Sequence, residues 1–143
     1  MIEIAENDTA VASACRKVYE CALPLRFGDM DADGHVNNTV YYRFMEEARM
    51  RWVHGLGLAV TPPAPIPVLA ASACAFRASV QYPGTVVVEI YLGRVGNSSV
   101  RTHYLVRCGD TIAAEGYAVS VWVDTATQRP IALPATVRNL ETK

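Results

Sequence analysis

Neither sign of charge dominates this sequence. Thirteen lysines and arginines stand against 14 aspartates and glutamates, giving a net charge of -1 and a pI near 6.3. A nucleic-acid surface needs a basic stripe, with aromatics interleaved where bases are to stack, and none is present. Every apolar run falls well short of the roughly 20 residues that cross a bilayer. The opening stretch from Met1 to Asp8 is acidic and has no apolar segment of the secretory kind, so the expected location is the cytoplasm. Cys15, Cys21, Cys74 and Cys108 lie far apart with no Cys-x-x-Cys pair. That spacing argues for isolated reduced thiols over a disulfide framework or a metal site. Gly-x-Gly-x-x-Gly, a phosphate loop and Gly-x-Ser-x-Gly are also missing, which removes dinucleotide, nucleotide and serine-hydrolase chemistry.

What is present is the material of a globular core. The chain has 143 residues, 51% of them hydrophobic and 19% charged, enough for one well-packed domain. Residues 1–14 are weakly patterned and read as an N-terminal arm; residues 15–143 read as the domain. Lys17–Phe27 alternates as a strand, and Pro24 within it marks an edge or a bulge. Gly28–Asn38 reads as loop. Helical spacing follows: Val40, Phe44, Ala48 and Trp52 form an i, i+4 row with Tyr41, Met45 and Leu56 beside it. Arg43, Glu46, Glu47 and Arg51 fall toward the other side, and Glu47–Arg51 has the favourable i, i+4 orientation. Asn37, Asn38 or Thr39 can cap the start, and Gly55 and Gly57 mark the stop. From Asn38 to His54 such a helix is roughly 25 Å long.

Thr61–Pro67 holds four prolines and reads as a stiff connector, neither helix nor central strand. The remaining half reads as four strands, Val68–Val80, Thr85–Val95, Ser99–Cys108 and Thr111–Asp124, joined by short turns. Short turns make neighbours antiparallel, and the helix must bury its stripe against the sheet. The expected class is α+β: one long central helix wrapped by a curved antiparallel sheet of about five strands. No second helix pattern is visible.

Chemistry concentrates between Asp29 and Asn38. Asp29, Asp31 and Asp33 share ten residues with Gly34, His35, Asn37 and Asn38, immediately before the helix. A carboxylate there faces free backbone N–H groups, which can hold the negative charge that develops on an attacked carbonyl. Each residue also has a plainer use. Asp29 and Asp33 can fix the loop, His35 can pack it onto the helix, and Asn37 and Asn38 can simply cap. A calcium loop fits Asp29, Asp31, Asp33 and Gly34 at positions 1, 3, 5 and 6, but fails at Val40, where a bidentate glutamate is required. No metal and no cofactor is called for.

The run from Asp29 to Asn38, followed by Tyr41 and by Glu46-Glu47-Ala48-Arg49, resembles the hotdog-fold thioesterases of the 4-hydroxybenzoyl-CoA thioesterase type. Gly96-Asn97-Ser98-Ser99 and Val121-Trp122-Val123-Asp124, with Arg129-Pro130 and Leu133-Pro134, extend the likeness over about residues 17 to 135. The resemblance implies acyl-CoA hydrolysis with Asp31 as the catalytic carboxylate, either nucleophile or general base. It places the thioester carbonyl near the helix start at Asn38, with Gly34 and His35 shaping the site. It implies Tyr41 and Met45 beside the acyl group, and Arg94, Asn97, Ser98 and Ser99 near the CoA phosphates. Glu46 and Glu47 are the alternative carboxylates, since some hotdog thioesterases use a helix glutamate. A homodimer or homotetramer is expected. A non-catalytic module binding acyl-CoA or acyl-carrier protein, or hydrolysis of an acyl-carrier-protein thioester, stays open. A dehydratase would need a Phe-Pro-Gly-like turn after His35, where Val36-Asn37-Asn38 stands.

Overall fold

The computed structural model describes residues 15–142, so the expected N-terminal arm lies outside the described residues. In chain order the elements are β1 (Arg16–Pro24), a 3-10 turn (Phe27–Asp29), α1 (Asn38–Gly55), β2 (Ile66–Phe76), β3 (Thr85–Val95), β4 (Ser99–Cys108) and β5 (Thr111–Val123). A short α2 (Ala135–Arg138) and a 3-10 turn (Asn139–Thr142) follow. The five strands form one antiparallel sheet in the order β1-β3-β4-β5-β2, so β1 and β2 are its two edges.

The fold rests on this sheet. The expected long central helix wrapped by the sheet is not seen: α1 has 18 residues and lies against one face of the sheet. Its Val40, Phe44, Ala48 and Trp52 row is buried together with Tyr41, Met45 and Val53. Across from it lie Val86, Val88 and Ile90 of β3, Val100, Tyr104 and Val106 of β4, and Ala114, Ala118 and Trp122 of β5. Each fully buried large side chain contributes about 1.5–3 kcal/mol, so this stripe fixes which face of the sheet the helix covers. Gly116 on β5 is part of the fit. A methyl group there would stand 2.5 Å from the Ala73 carbonyl oxygen and 3.0 Å from the Met45 sulfur.

Several boundaries differ from the sequence expectation. The first strand stops at Pro24, not Phe27, because the chain turns through Phe27–Asp29, where the Asp29 N–H donates to the Arg26 carbonyl at 2.9 Å. The second strand begins inside the proline segment, at Ile66, with Pro67 opposite Trp122. Pro67 is tolerated there because an edge strand has one side with no ladder bonds to make. The same strand ends at Phe76, well before Val80. Beyond it the N–H groups of Arg77 and Ala78 both donate to the Ala113 carbonyl, which breaks the ladder. α2 is too short to leave a periodic signature, yet its Val137 is wholly buried in the core.

Candidate active site

The segment between β1 and α1 is tightly tied. Met30 and Val36 form an isolated antiparallel bridge. Within it the Asp31 N–H donates to the His35 carbonyl (3.1 Å) and the Gly34 N–H to the Asp31 carbonyl (3.1 Å). Gly34 closes this turn at φ +83°, a conformation costly for any residue with a side chain. The Val36 N–H donates to the Val80 carbonyl (2.8 Å), mooring the loop to the segment after β2, and the Asn37 N–H donates to the Asp29 carbonyl (3.0 Å) within the loop itself. Asp29 is buried, accepting the Arg26 N–H at 2.8 Å, with the Arg26 guanidinium 3.8 Å from its other oxygen. Its carboxylate is spent on the loop.

Asp31 is held differently. One carboxylate oxygen accepts the Asp33 N–H at 2.9 Å, and the other accepts the Asn37 side-chain amide at 3.0 Å. Asn37 is also the helix cap, because its amide oxygen accepts the Thr39 N–H (2.9 Å) and the Thr39 hydroxyl (2.6 Å). One planar amide therefore couples the carboxylate to the first turn of α1. The Val40 N–H is taken by the Asn37 carbonyl (3.0 Å), which leaves the Asn38 N–H, the first of the helix, for a ligand.

These groups open on a cleft of about 400 Å³. Asp31, Asp33, His35, Asn38 and Tyr41 line one side; Phe76, Arg77, Ala78 and Ser79 line the other. Tyr41 stacks edge-on against Phe76 (5.4 Å between centroids) and Phe44 (5.8 Å). Burial, with Cys74 and Cys108 nearby, raises its phenol above the ordinary value, so it stays neutral at physiological pH. His35 is half-buried, its Nδ1 3.5 Å from the Val36 carbonyl. Asp31 and Asn38, at the helix start, border the same cleft.

The other candidates lie elsewhere. Met45 is in the core against Gly116 and does not line the cleft. Arg94 is exposed on β3, and the Asn97–Ser99 turn lies among other partners. There the Asn97 carbonyl accepts the Leu133 N–H (2.9 Å) and the Arg138 guanidinium (2.7 Å), and the Ser98 carbonyl accepts the Trp122 N–H (2.9 Å). Within one chain neither Arg94 nor that turn lines the Asp31 cleft. Glu47 pairs with Arg51 at 3.0 Å, and neither Glu46 nor Glu47 lines the cleft. The sequence expectation missed the far wall altogether. Phe76, Arg77 and Ser79 had been placed inside a strand running to Val80, where nothing marked them as cleft residues.

The model of the thioesterase-like superfamily matches residues 25–140. The chain belongs to that superfamily. Among solved structures, this superfamily member is similar to the PA2801 protein of Pseudomonas aeruginosa, described provisionally as a thioesterase. The two are 36% identical over 88% of this chain and 99% of that one, with a TM-score of 0.85. It is similar also to the PA5185 protein of Pseudomonas aeruginosa (28% identity, 87% and 89% coverage, TM-score 0.81). A Xanthomonas campestris protein described provisionally as an acyl-CoA thioesterase is 31% identical over 77% of this chain and 96% of that one, with a TM-score of 0.69. No curated protein sequence matches the chain. Thioester hydrolysis is the general reaction these likenesses support. Among the described residues, no helix is long and apolar enough to cross a membrane.

Proposed function

We propose that this thioesterase-like protein hydrolyses an acyl-CoA thioester to the free acid and CoA, as a hotdog enzyme of the 4-hydroxybenzoyl-CoA thioesterase type. The observation that carries the proposal is the Asn37 amide, which joins the Asp31 carboxylate to the helix start beside an open cleft. A thioester is already activated, so the site has to supply only a carboxylate and an electrophilic pocket. With the carbonyl oxygen at the Asn38 N–H, Asp31 either attacks the carbon or takes a proton from an attacking water. Attack expels the CoA thiolate and leaves an acyl–aspartyl anhydride, which water then opens to free acid and carboxylate. General-base attack reaches the same products in one addition and one expulsion. In both cases the oxyanion forms against the first N–H of α1, and a single donor of this kind is worth on the order of 3 kcal/mol.

Tyr41 and Phe76 give the acyl group aromatic walls, and Arg77, ion-paired with the buried Glu115 at 3.7 Å, borders the cleft's far side. Acyl-CoA as the substrate is supported by the Xanthomonas relative. Arg94 and residues 97–99 keep a role toward CoA only if a second chain brings them to the cleft. A homodimer supports that role and also covers a sheet edge that is otherwise open. The deciding experiment is thiol release over a panel of acyl-CoAs of different length and aromaticity. Turnover of at least one member is expected; flat traces across the panel would replace hydrolysis of acyl-CoA with carrier-protein substrates or plain binding.

A further inference from the structure

CoA carries its phosphates at the far end of the pantetheine arm. An acyl-CoA with its carbonyl in the Asp31 cleft must therefore rest those phosphates on a surface outside it. Within one chain neither Arg94 nor the Asn97–Ser99 turn borders the cleft. A second groove, of about 330 Å³, lies between the end of β1 and α1 and begins on the same loop as Asp31. Three arginines line it, Arg26, Arg43 and Arg51, against two carboxylates, Asp29 and Glu47.

Both carboxylates are already engaged. Asp29 is buried, with the Arg26 N–H at 2.8 Å and the Arg26 guanidinium at 3.8 Å. Glu47 stands four residues after Arg43 and four before Arg51 on one helix row. Acid before base is the favoured order at that spacing, and Glu47 takes Arg51, at 3.0 Å. Arg43 is left over. It is exposed, and among the described residues no carboxylate lies within ion-pair distance of it. Arg26 and Arg51 meet their carboxylates through Nε, and a guanidinium has further donors on its terminal nitrogens.

The groove and the cleft are neighbours. Asp29 lines one and Asp31 the other, two residues apart on the loop. Tyr41 of the cleft and Phe44 of the groove pack edge-on at 5.8 Å between centroids, a partition one ring pair thick. The planar fork of a guanidinium matches phosphate oxygens two at a time, which makes arginine a preferred phosphate ligand. We infer that the phosphates of CoA are held in this groove by Arg43, with Arg26 and Arg51 beside it. The inference rests on the acyl-CoA reading for the identity of the ligand, and it makes phosphate recognition the work of the same chain that supplies Asp31.

Calorimetric titration with CoA tests it on four proteins: the unchanged chain, Arg43→Gln, Arg94→Gln, and Arg129→Gln as a change at an exposed arginine that lines neither space. Circular dichroism verifies that each variant is folded. Arg43→Gln should bind CoA on the order of tenfold more weakly, and Arg129→Gln as tightly as the unchanged chain. KM for a hydrolysed acyl-CoA should rise by the same factor in Arg43→Gln with kcat nearly unchanged. The N-acetylcysteamine thioester of the same acyl group has no phosphates and should be hydrolysed equally by both. Adenosine 3′,5′-bisphosphate should displace CoA at far lower concentration than inorganic phosphate does. Equal CoA affinity in Arg43→Gln and the unchanged chain overturns the inference. So does a loss confined to Arg94→Gln, an unchanged chain that binds no CoA, or inorganic phosphate competing as well as the bisphosphate. CoA binding that depends on Arg43, with flat hydrolysis traces across the acyl-CoA panel, would uphold the groove and remove the hydrolytic reading instead.

Discussion

Asp31 and Asp124 are chemically alike and locally alike. Both sit in short loops, and both accept hydrogen bonds from the residues just after them. Asp31 accepts from the Asp33 N–H and the Asn37 amide at 2.9 and 3.0 Å; one oxygen of Asp124 accepts the Ala126 and Thr127 N–H groups at 2.8 and 3.0 Å. What differs is the surroundings. Asp31 borders a cleft and a helix start, whereas Asp124 closes the loop after β5, where its carbonyl accepts the Gln128 N–H. A loop carboxylate becomes a candidate reagent only when a pocket and an electrophile site lie before it; otherwise it is a turn fastener. The two ends of the sheet can be told apart by experiment.

The largest contrast is expected from isosteric amides at the two positions. Asp31→Asn should lower kcat on the order of a thousandfold and leave the melting temperature within a few degrees. Asp124→Asn should leave turnover of the same acyl-CoA unchanged. Full activity in the first variant would erase the distinction and shift the chemistry to Glu46 or Glu47. Next in size is Asn37→Ser, which keeps a good helix cap but removes the amide that donates to Asp31. A kcat roughly tenfold lower, with KM and melting temperature nearly unchanged, would show that Asn37 positions the carboxylate. Asn37→Ala should reproduce that loss and also cost about 1 kcal/mol of stability. An Asn37→Ser variant as fast as the unchanged enzyme would reduce Asn37 to a cap.

At the other end the expected effects are on folding. Arg138 donates to the Asn97 carbonyl at 2.7 Å, tying the β3–β4 turn to the chain after β5. Arg138→Ala should cost about 1–2 kcal/mol in chemical denaturation with kcat unchanged. A loss of kcat there would mean that the two ends are not independent.

Much of this was legible from the residues, for a physical reason in each case. The helix announced itself because one wide apolar stripe had to be buried, and its start was marked by Asn37. Alternation placed β3 and β4 to the residue, since both are flanked by turns. The wall formed by Phe76–Ser79 was not legible. A strand's end depends on where its partner's carbonyls stop serving it, here at Ala113, and that is a long-range fact. The position of the Asn97–Ser99 turn was hidden for the same reason. Its sequence matches a family pattern, but only tertiary contacts show that its carbonyls are occupied by Trp122, Leu133 and Arg138. Arg49 could be read as part of a motif, yet nothing local foretold its burial.

The smallest effect concerns acid. Asp124 is held below the ordinary carboxylate value, first by the Thr127 N–H and then by the Ala126 N–H, against a lesser opposing push from desolvation. A carboxylate whose folded pKa is depressed binds its proton more readily when unfolded, so stability rises with pH across the interval between the two values. Its contribution is complete above the unfolded value, near 3.8, and is lost as pH falls through the depressed folded value. Because the group is only partly buried, solvent screening keeps that contribution small. Asp124→Asn should therefore melt slightly below the unchanged chain at neutral pH, and the gap should close in strong acid as Asp124 in the unchanged chain takes up its proton. A gap constant across that range would mean that the fastening owes nothing to the charge. The likeness between the two aspartates would then end at geometry.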